Sequence, residues 1–247
     1  MRQIKQYIVV IPFIHTEAQG NELEYAIRGW FKHFREPFKL VVIGDVHPFV
    51  LANQHLIVFI PQSRVAEVPG QYRPHLDHVA KMLRVREHYK KHFDGFIQAA
   101  DDCYAINDFT AKDVLIPKAG GYDIPPGDID DENGFWRDME KTRRRLVECG
   151  LGTLDWETHA PRFYKFDEYA ELAAEHDLTN QSYVVENLYF NTYYQGLHPL
   201  ILTPENRFIQ RLESKHQMID ASRIWLSNSV YGWSPNLESF LKNHFEQ

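Results

Sequence analysis

Two adjacent carboxylates, Asp101 and Asp102, stand in the stretch QAADDCYAIND, residues 98–108. They follow Gly95 to Ala100, which reads as a short buried strand. Paired acids at the end of such a strand repel each other and lose hydration, so they call for a positive partner. A divalent cation such as Mn2+ or Mg2+ suits hard carboxylate oxygens. It also bridges the phosphates of a pyrophosphate substrate and takes up leaving-group charge. Continued as a strand, the two side chains would face opposite sides: one toward the metal, the other toward a sugar or ribose hydroxyl. The plainer reading is a strand-end turn in which Asp102 caps the next segment.

A second set lies in LDWETHAPRFYKF, residues 154–166. His159 is a candidate third metal ligand or phosphate-binding group. Asp155 or Glu157 is a candidate general base toward an acceptor hydroxyl, and Arg162 a candidate phosphate holder. The alternative is a loop in which His159 satisfies a backbone carbonyl. A third set, ASRIWLSNSVYGWSP at 221–235, places Ser227, Asn228 and Ser229 beside Trp225, Tyr231 and Trp233. Aromatic faces flanked by hydroxyl and amide groups suit sugar rings, and equally the packing of a terminal segment.

These residues need a frame. Tyr7 to Pro12 and Phe38 to Ile43 are β-branched runs of the kind buried on both faces of a parallel sheet, and Leu56 to Ile60 is a third strand. Between the first two, Leu23, Ile27, Trp30, Phe31 and Phe34 fall at helical spacing. Pro74 to Phe93 reads as a helix whose apolar side is Leu76, Val79, Ala80, Leu83 and Val85, and a fourth strand runs from Gly95 to Ala100 into the acid pair. This alternation predicts an α/β fold with a mostly parallel sheet flanked by helices. Ligands bind such sheets at the carboxyl ends of the strands. Pro12, Phe13, Ile14 and His15 should form one wall of a donor site there, and Asp45 another. Helices at 136–148, 166–175, 181–194 and 234–245 make the second half helix-rich. Between the halves, 117–134 reads as a long loop with an acidic set at Asp128, Asp130, Asp131 and Glu132.

The chain has 247 residues, 44% of them hydrophobic, enough for one sizeable α/β core. Its formal charge of −7 argues against nucleic acid or an anionic membrane as a partner by bulk charge. The basic run Lys141 to Arg145 reads as a solvated helix face. The two cysteines, Cys103 and Cys149, make no CxxC pair and imply neither a zinc site nor a disulfide framework. The apolar run at Tyr7 to Phe13 is too short for a signal peptide, and no stretch approaches a membrane span. A cytoplasmic location is the expectation.

Taken in order, these blocks carry a resemblance. ELEYAIRGW at 22–30 resembles a helix of the Stealth family, the hexose-1-phosphate transferases of capsule synthesis, and of short GT-A-fold relatives in bacteria and phages. AADDCY at 99–104 sits where those proteins carry an NDD-type motif. THAP at 158–161, ENLYFNTYY at 186–194 and SNSVYGWSPNLESFLKNHF at 227–245 resemble their later blocks. Ala100 stands where the Asn of NDD is expected, and Cys103 departs from a strict DxD.

The resemblance implies a single GT-A-like (Rossmann-like) catalytic domain over 1–247, with a nucleotide-binding half at 1–116 and an acceptor-side half at 117–247. It implies Asp101 and Asp102 as metal and donor ligands and His159 as an active-site histidine. The expected activity is metal-assisted transfer of a sugar from a nucleotide-sugar donor to a carbohydrate acceptor. Transfer of sugar together with its phosphate, and binding without turnover, are the alternatives, the last favoured by Ala100.

Overall fold

A computed structural model describes residues 6–65, 74–127, 134–202 and 208–246. In chain order, the first part runs β1 (Tyr7–Phe13), α1 (Glu22–His33), β2 (Phe38–Gly44), α2 (Pro48–Ala52), β3 (Ile57–Pro61), α3 (Pro74–Tyr89) and β4 (Gly95–Gln98). Next come β5 (Cys103–Ala105), α4 (Ala111–Leu115), β6 (Lys118–Ala119), α5 (Phe135–Glu148), β7 (Arg162–Lys165) and α6 (Phe166–Glu175). The chain closes with α7 (Val185–Tyr193), β8 (Leu200–Ile201), β9 (Ile209–Leu212), β10 (Trp225–Asn228) and α8 (Pro235–Phe245).

The main sheet has five strands in the order β3-β2-β1-β4-β7. β1 is parallel to both β2 and β4, β2 is parallel to β3, and only β7 runs antiparallel, beside β4. β1 and β2 are unbroken Val/Ile runs because both faces are covered. Ile8, Val10, Val41 and Ile43 share one core with Val79, Met82 and Val85 of α3 and with α5, α6 and α7. Val9, Ile11, Leu40 and Val42 share the opposite core with Leu23, Ile27 and Trp30 of α1. Each such side chain contributes roughly 1.5–3 kcal/mol on leaving water. The fold is thus the expected α/β arrangement, a mostly parallel sheet between helices.

A second, three-stranded sheet, β5-β10-β9, turns away from the first and packs with α1 and α8 around Tyr25, Tyr104, Leu226, Leu237 and Leu241. Here α1 meets the sheet backbone to backbone. A Cβ on Gly29 would lie 2.9 Å from both N and O of Ala105, so glycine is required for the approach.

Several expectations are corrected. β4 ends at Gln98, so Asp101 and Asp102 occupy a turn between two sheets and do not continue the strand. Pairing with β1 stops after Ala99 N donates to Val10 O, and Asn228 N then bonds Asp102 O as β5 joins β10. The apolar side of α3 is also different: Asp77 and Lys81 are buried beside Val79, Met82 and Val85. The helix expected from 181 begins at Val185, because Val184 N is held by Thr142 Oγ1 at 2.9 Å. Arg143 and Arg144 of the basic run stay exposed on α5, as expected of a solvated face, and both bond Glu140. Within the long loop, β6 pairs with β8; Asp128, Asp130, Asp131 and Glu132 lie outside the described residues. Among the described residues no helix is long and apolar enough to cross a membrane.

Candidate functional site

The strand order reverses at β1, with β2 and β3 on one side and β4 on the other. Connections leaving β1 and β4 therefore diverge, and a crevice opens beyond their carboxyl ends. A cleft of ≈ 280 Å³ lies there. Pro12, Ile14 and Glu17 line it at the end of β1 and beyond, and Gln98, Ala99, Ala100 and Asp101 at the end of β4 and beyond. Asp77, His78 and Lys81 of α3 form another wall, and Glu157, Thr158, His159 and Glu186 close it.

Asp102 Oδ2 lies 3.8 Å from His159 Nδ1, so the β4–β5 turn meets the loop before β7, and His159 faces the acids. Asp101 is pushed well above the usual carboxylate range, first by burial, then by Asp102 and Glu22, with Lys81 opposing. Glu22, only 4% exposed, accepts from Asn228 Nδ2 at 2.8 Å and Gln19 N at 2.7 Å. Burial and the nearby Asp102, against those hydrogen bonds, raise it to about 7.

The other sequence-derived candidates divide. Pro12 lines the cleft, whereas Phe13 is 2% exposed, sits in the opposite core and meets His47 edge-on at 5.4 Å. His15 and Asp45 come together at the β1–β2 edge, where His15 N donates to Asp45 Oδ2 at 2.9 Å. The chain turns sharply at Gly44, whose φ is +134° and whose Cβ would meet Phe13 O at 2.0 Å, so no other residue fits there.

Arg162 is not a phosphate holder. Its guanidinium donates to Trp156 O at 2.9 Å, Ala160 O at 3.3 Å, and Thr158 O and Oγ1, which braces the loop that carries His159. Asp155 works in the same way. Its Oδ1 accepts from Glu157 N at 3.0 Å and Asn187 Nδ2 at 3.3 Å, and its backbone O accepts from Gly120 N. Burial raises its carboxyl, those two hydrogen bonds oppose the shift, and it does not line the cleft. Asp155 therefore positions Glu157, which lines the cleft in its place.

Sequence reasoning missed the cleft floor. Lys81 Nζ pairs with Asp77 Oδ2, while Asp77 Oδ1 accepts from Val65 N at 3.1 Å. The i,i+4 Asp–Lys spacing was the available signal. Glu186 was missed too. Burial opposes its ionisation, but Arg162, His78 and His75 outweigh that and hold it below its ordinary value; Arg162 Nη1 lies 3.7 Å away. In the C-terminal stretch, Trp225, Ser227 and Asn228 are buried in β10 and serve packing, while Tyr231 is exposed.

A second cleft, ≈ 380 Å³, shares Glu157, Thr158 and His159 with the first and continues to Ile209, Gln210 and Arg211 of β9 and to Gln217 and Arg223. The loop 157–159 thus stands between two clefts. Among the described residues no group of three or more His, Cys, Asp or Glu is gathered to hold a metal ion.

No family model matches the chain, and no curated protein matches it. Among solved structures it is similar to mouse xyloside xylosyltransferase 1 in its apo form, at 10% identity and a TM-score of 0.49, over 93% of this chain and 100% of that one. It is also similar to the glycosyltransferase GlyE of Streptococcus pneumoniae TIGR4, at 10% identity and a TM-score of 0.41, over 79% of this chain and 45% of that one.

Proposed function

We propose that this chain is a glycosyltransferase that moves a sugar from a nucleotide-sugar donor to a hydroxyl acceptor with the help of a divalent cation. The observation that carries the reading is the cleft at the strand-order reversal, with Asp101 in its wall and Asp102 against His159 beside it. A nucleoside diphosphate entering this cleft meets Glu17, Asp77, Asp101, Glu157 and Glu186 against Lys81. Such a lining repels phosphate unless a cation comes with it.

Among the described residues only the pair Asp102 and His159 stands close enough to share that cation, with no third carboxylate or imidazole gathered to it. Asp101 is crowded by Asp102 and Glu22, a charge excess that a cation relieves. The 3.8 Å between Asp102 and His159 is shorter than two metal–ligand bonds of about 2.1 Å end to end. Asp102 and His159 would give an incomplete protein shell, with Asp101 in the cleft wall nearby, which suits an ion shared with a diphosphate. When bound, it would neutralise charge developing on the leaving phosphate.

The chain's own residues do the rest. Glu157 lines both clefts, so its carboxylate is the base placed to receive the proton of an acceptor hydroxyl as the new glycosidic bond forms. Asp155, Asn187 and Arg162 hold the loop that presents it. Lys81 and Asp77 form a fixed polar floor that orients sugar hydroxyls.

The test is calorimetric titration of a nucleotide-sugar panel with and without manganese, followed by product analysis. Metal-dependent binding of one donor and release of nucleoside diphosphate are expected. Release of nucleoside monophosphate would make the reaction a sugar-phosphate transfer. Binding without any product across an acceptor panel would leave a non-catalytic binder.

A further inference from the structure

We infer that the end of the first cleft formed by Gln98, His78 and Glu186 is the subsite for the donor sugar, and that it takes a neutral sugar through its hydroxyls and turns away a uronate. This rests on the transferase reading above.

Position comes first. The sheet runs β2-β1-β4-β7, so the cleft that begins at Pro12 of β1 passes the end of β4 on the side of β7. Gln98, the last residue of β4, pairs in register with Arg162 of β7. Glu186, in the first turn of α7, meets both: Gln98 Nε2 lies 3.5 Å and Arg162 Nη1 3.7 Å from its Oε1. His78 of α3 lines the same cleft. A donor whose diphosphate shares a cation with Asp102 and His159 has its two ends on either side of that point. The nucleoside lies toward the β1–β2 edge, where His15 and Asp45 meet, and the sugar toward β7.

The chemistry at this end suits a hydroxyl. Both contacts to Glu186 are longer than a well-formed hydrogen bond of about 2.7–3.2 Å. The carboxylate nevertheless stays ionised through Arg162, His78 and His75, and its side chain is 18% exposed where it lines the cleft. An ionised carboxylate with no close donor accepts strongly from a hydroxyl. Beside it, His78 Nε2 is buried without a well-formed hydrogen bond among the described residues. A sugar hydroxyl donates and accepts at once, so it answers both groups. A second carboxylate does not. It would face Glu186 while Arg162 is engaged by Trp156 O, Ala160 O and Thr158, and Lys81 by Asp77. The frame is fixed on both sides. His75 Nδ1 meets Asp138 Oδ2 at 2.8 Å, which ties the start of α3 to α5, and Thr142 Oγ1 holds Val184 N just before α7.

The experiment is calorimetric titration of the full chain, with manganese, using UDP, UDP-glucose, UDP-galactose and UDP-glucuronate, and GDP, GDP-mannose and GDP-mannuronate. It is repeated on Glu186→Gln and His78→Gln, each checked for folding by thermal melt. In the series that binds, a neutral donor should bind at least about tenfold more tightly than its uronate. Glu186→Gln should weaken that neutral donor about tenfold, leave the bare nucleotide within about twofold, and narrow the gap to the uronate. His78→Gln leaves the carboxylate and Arg162 in place. It should weaken the neutral donor severalfold with the same sparing of the bare nucleotide, which keeps the test available if Glu186→Gln does not fold. A uronate bound as tightly as the neutral sugar overturns the inference. So does an equal loss of nucleotide and nucleotide-sugar in the variants, or no loss of either. Absence of all nucleotide binding to the unaltered chain removes the transferase reading and this one with it. Nucleotide binding without the split between bare nucleotide and nucleotide-sugar removes only the present inference.

Discussion

At the residue scale, the site depends on a charge imbalance that the free protein tolerates. Asp101 is held protonated more readily than a free carboxylate because of burial and its neighbours Asp102 and Glu22. Removing one member of such a group relieves repulsion and does not break a bond that supports the fold. Asp102→Ala should therefore keep its melting temperature within a few degrees of the unaltered chain while losing manganese-dependent donor binding in calorimetry. If metal-dependent affinity survives in an Asp101→Ala/Asp102→Ala double variant, the cation does not sit there. His159→Ala should lower turnover more than donor affinity, since the ring stands at the junction of the two clefts. Equal losses in both would assign it to donor binding alone. That the acid pair and His159 would stand together was legible in the sequence, because residue type alone singles them out. Arg162 and Asp155 were misread because type cannot say which way a side chain turns. Both turn inward, onto backbone groups of their own loop that would otherwise be buried without partners.

At the scale of elements, legibility followed length and uniformity. β1 and β2 are long Val/Ile runs buried on both faces, and their pattern needs no context to read. β7 and β10 are four residues each, and nothing local marks them. Arg-Phe-Tyr-Lys becomes a strand because β4 offers an unpaired edge, and Trp-Leu-Ser-Asn because β5 and β9 flank it. In β10 even the polar residues are buried, and Asn228 is satisfied by Tyr104 and Glu22, which lie far off in sequence. α3 misled for a related reason: the apolar side expected from the sequence left out Asp77 and Lys81, which are buried because they satisfy each other. The loop 155–162 shows how elements set the chemistry. Asn187 of α7 accepts from Trp156 N at 2.5 Å and donates to Asp155, fixing the two residues that lead into Glu157. Asn187→Ala leaves a buried N–H without a partner and should cost about 1–3 kcal/mol in denaturant unfolding, with turnover falling further than donor affinity. A stability loss with unchanged kinetics would separate the loop's anchoring from catalysis. Gly29→Ala tests the packing that carries β5. The added methyl meets Ala105 backbone at 2.9 Å, where no flexible side chain can yield, so a loss of about 1–3 kcal/mol is expected. An unaffected melting temperature would mean that α1 can lift from β5 freely.

At the scale of the whole molecule, the last helix closes the structure against the first. α8 packs on α1 through Leu237, Leu241 and Phe245, and a histidine pair finishes the contact, with His33 Nε2 and His244 Nε2 2.9 Å apart. Lys32 adds a bond to His244 O, while Asp108 holds His33 from the other side at 3.0 Å beside Arg35. Two ring nitrogens at that distance have room for only one proton between them, so the two rings cannot both be charged. His244 is lowered to about 4, first by burial and then by Lys32 and His33; burial also lowers His33, although Asp108 opposes it. Between about pH 4 and the ordinary histidine value near 6.5, the unfolded chain binds a proton at His244 that the folded chain refuses. The unfolded state then holds more protons, so this group makes stability rise with pH across that window and fall on acidification. Glu22 acts oppositely. Its carboxyl is raised to about 7, so the folded chain keeps a proton that the unfolded chain releases above the usual glutamate range, and stability falls as pH rises toward 7. The slope of the unaltered chain is therefore a sum of opposing parts, and a difference between variants isolates one of them. His244→Gln keeps a polar side chain that does not titrate. Melting temperatures measured from pH 5 to pH 8 should fall less steeply on acidification below pH 7 for this variant than for the unaltered chain, and the two curves should run parallel above pH 7. Parallel curves across the whole range would show that His244 charges as freely in the folded chain as in the unfolded one, and that the clasp between α8 and α1 is held by its apolar residues alone.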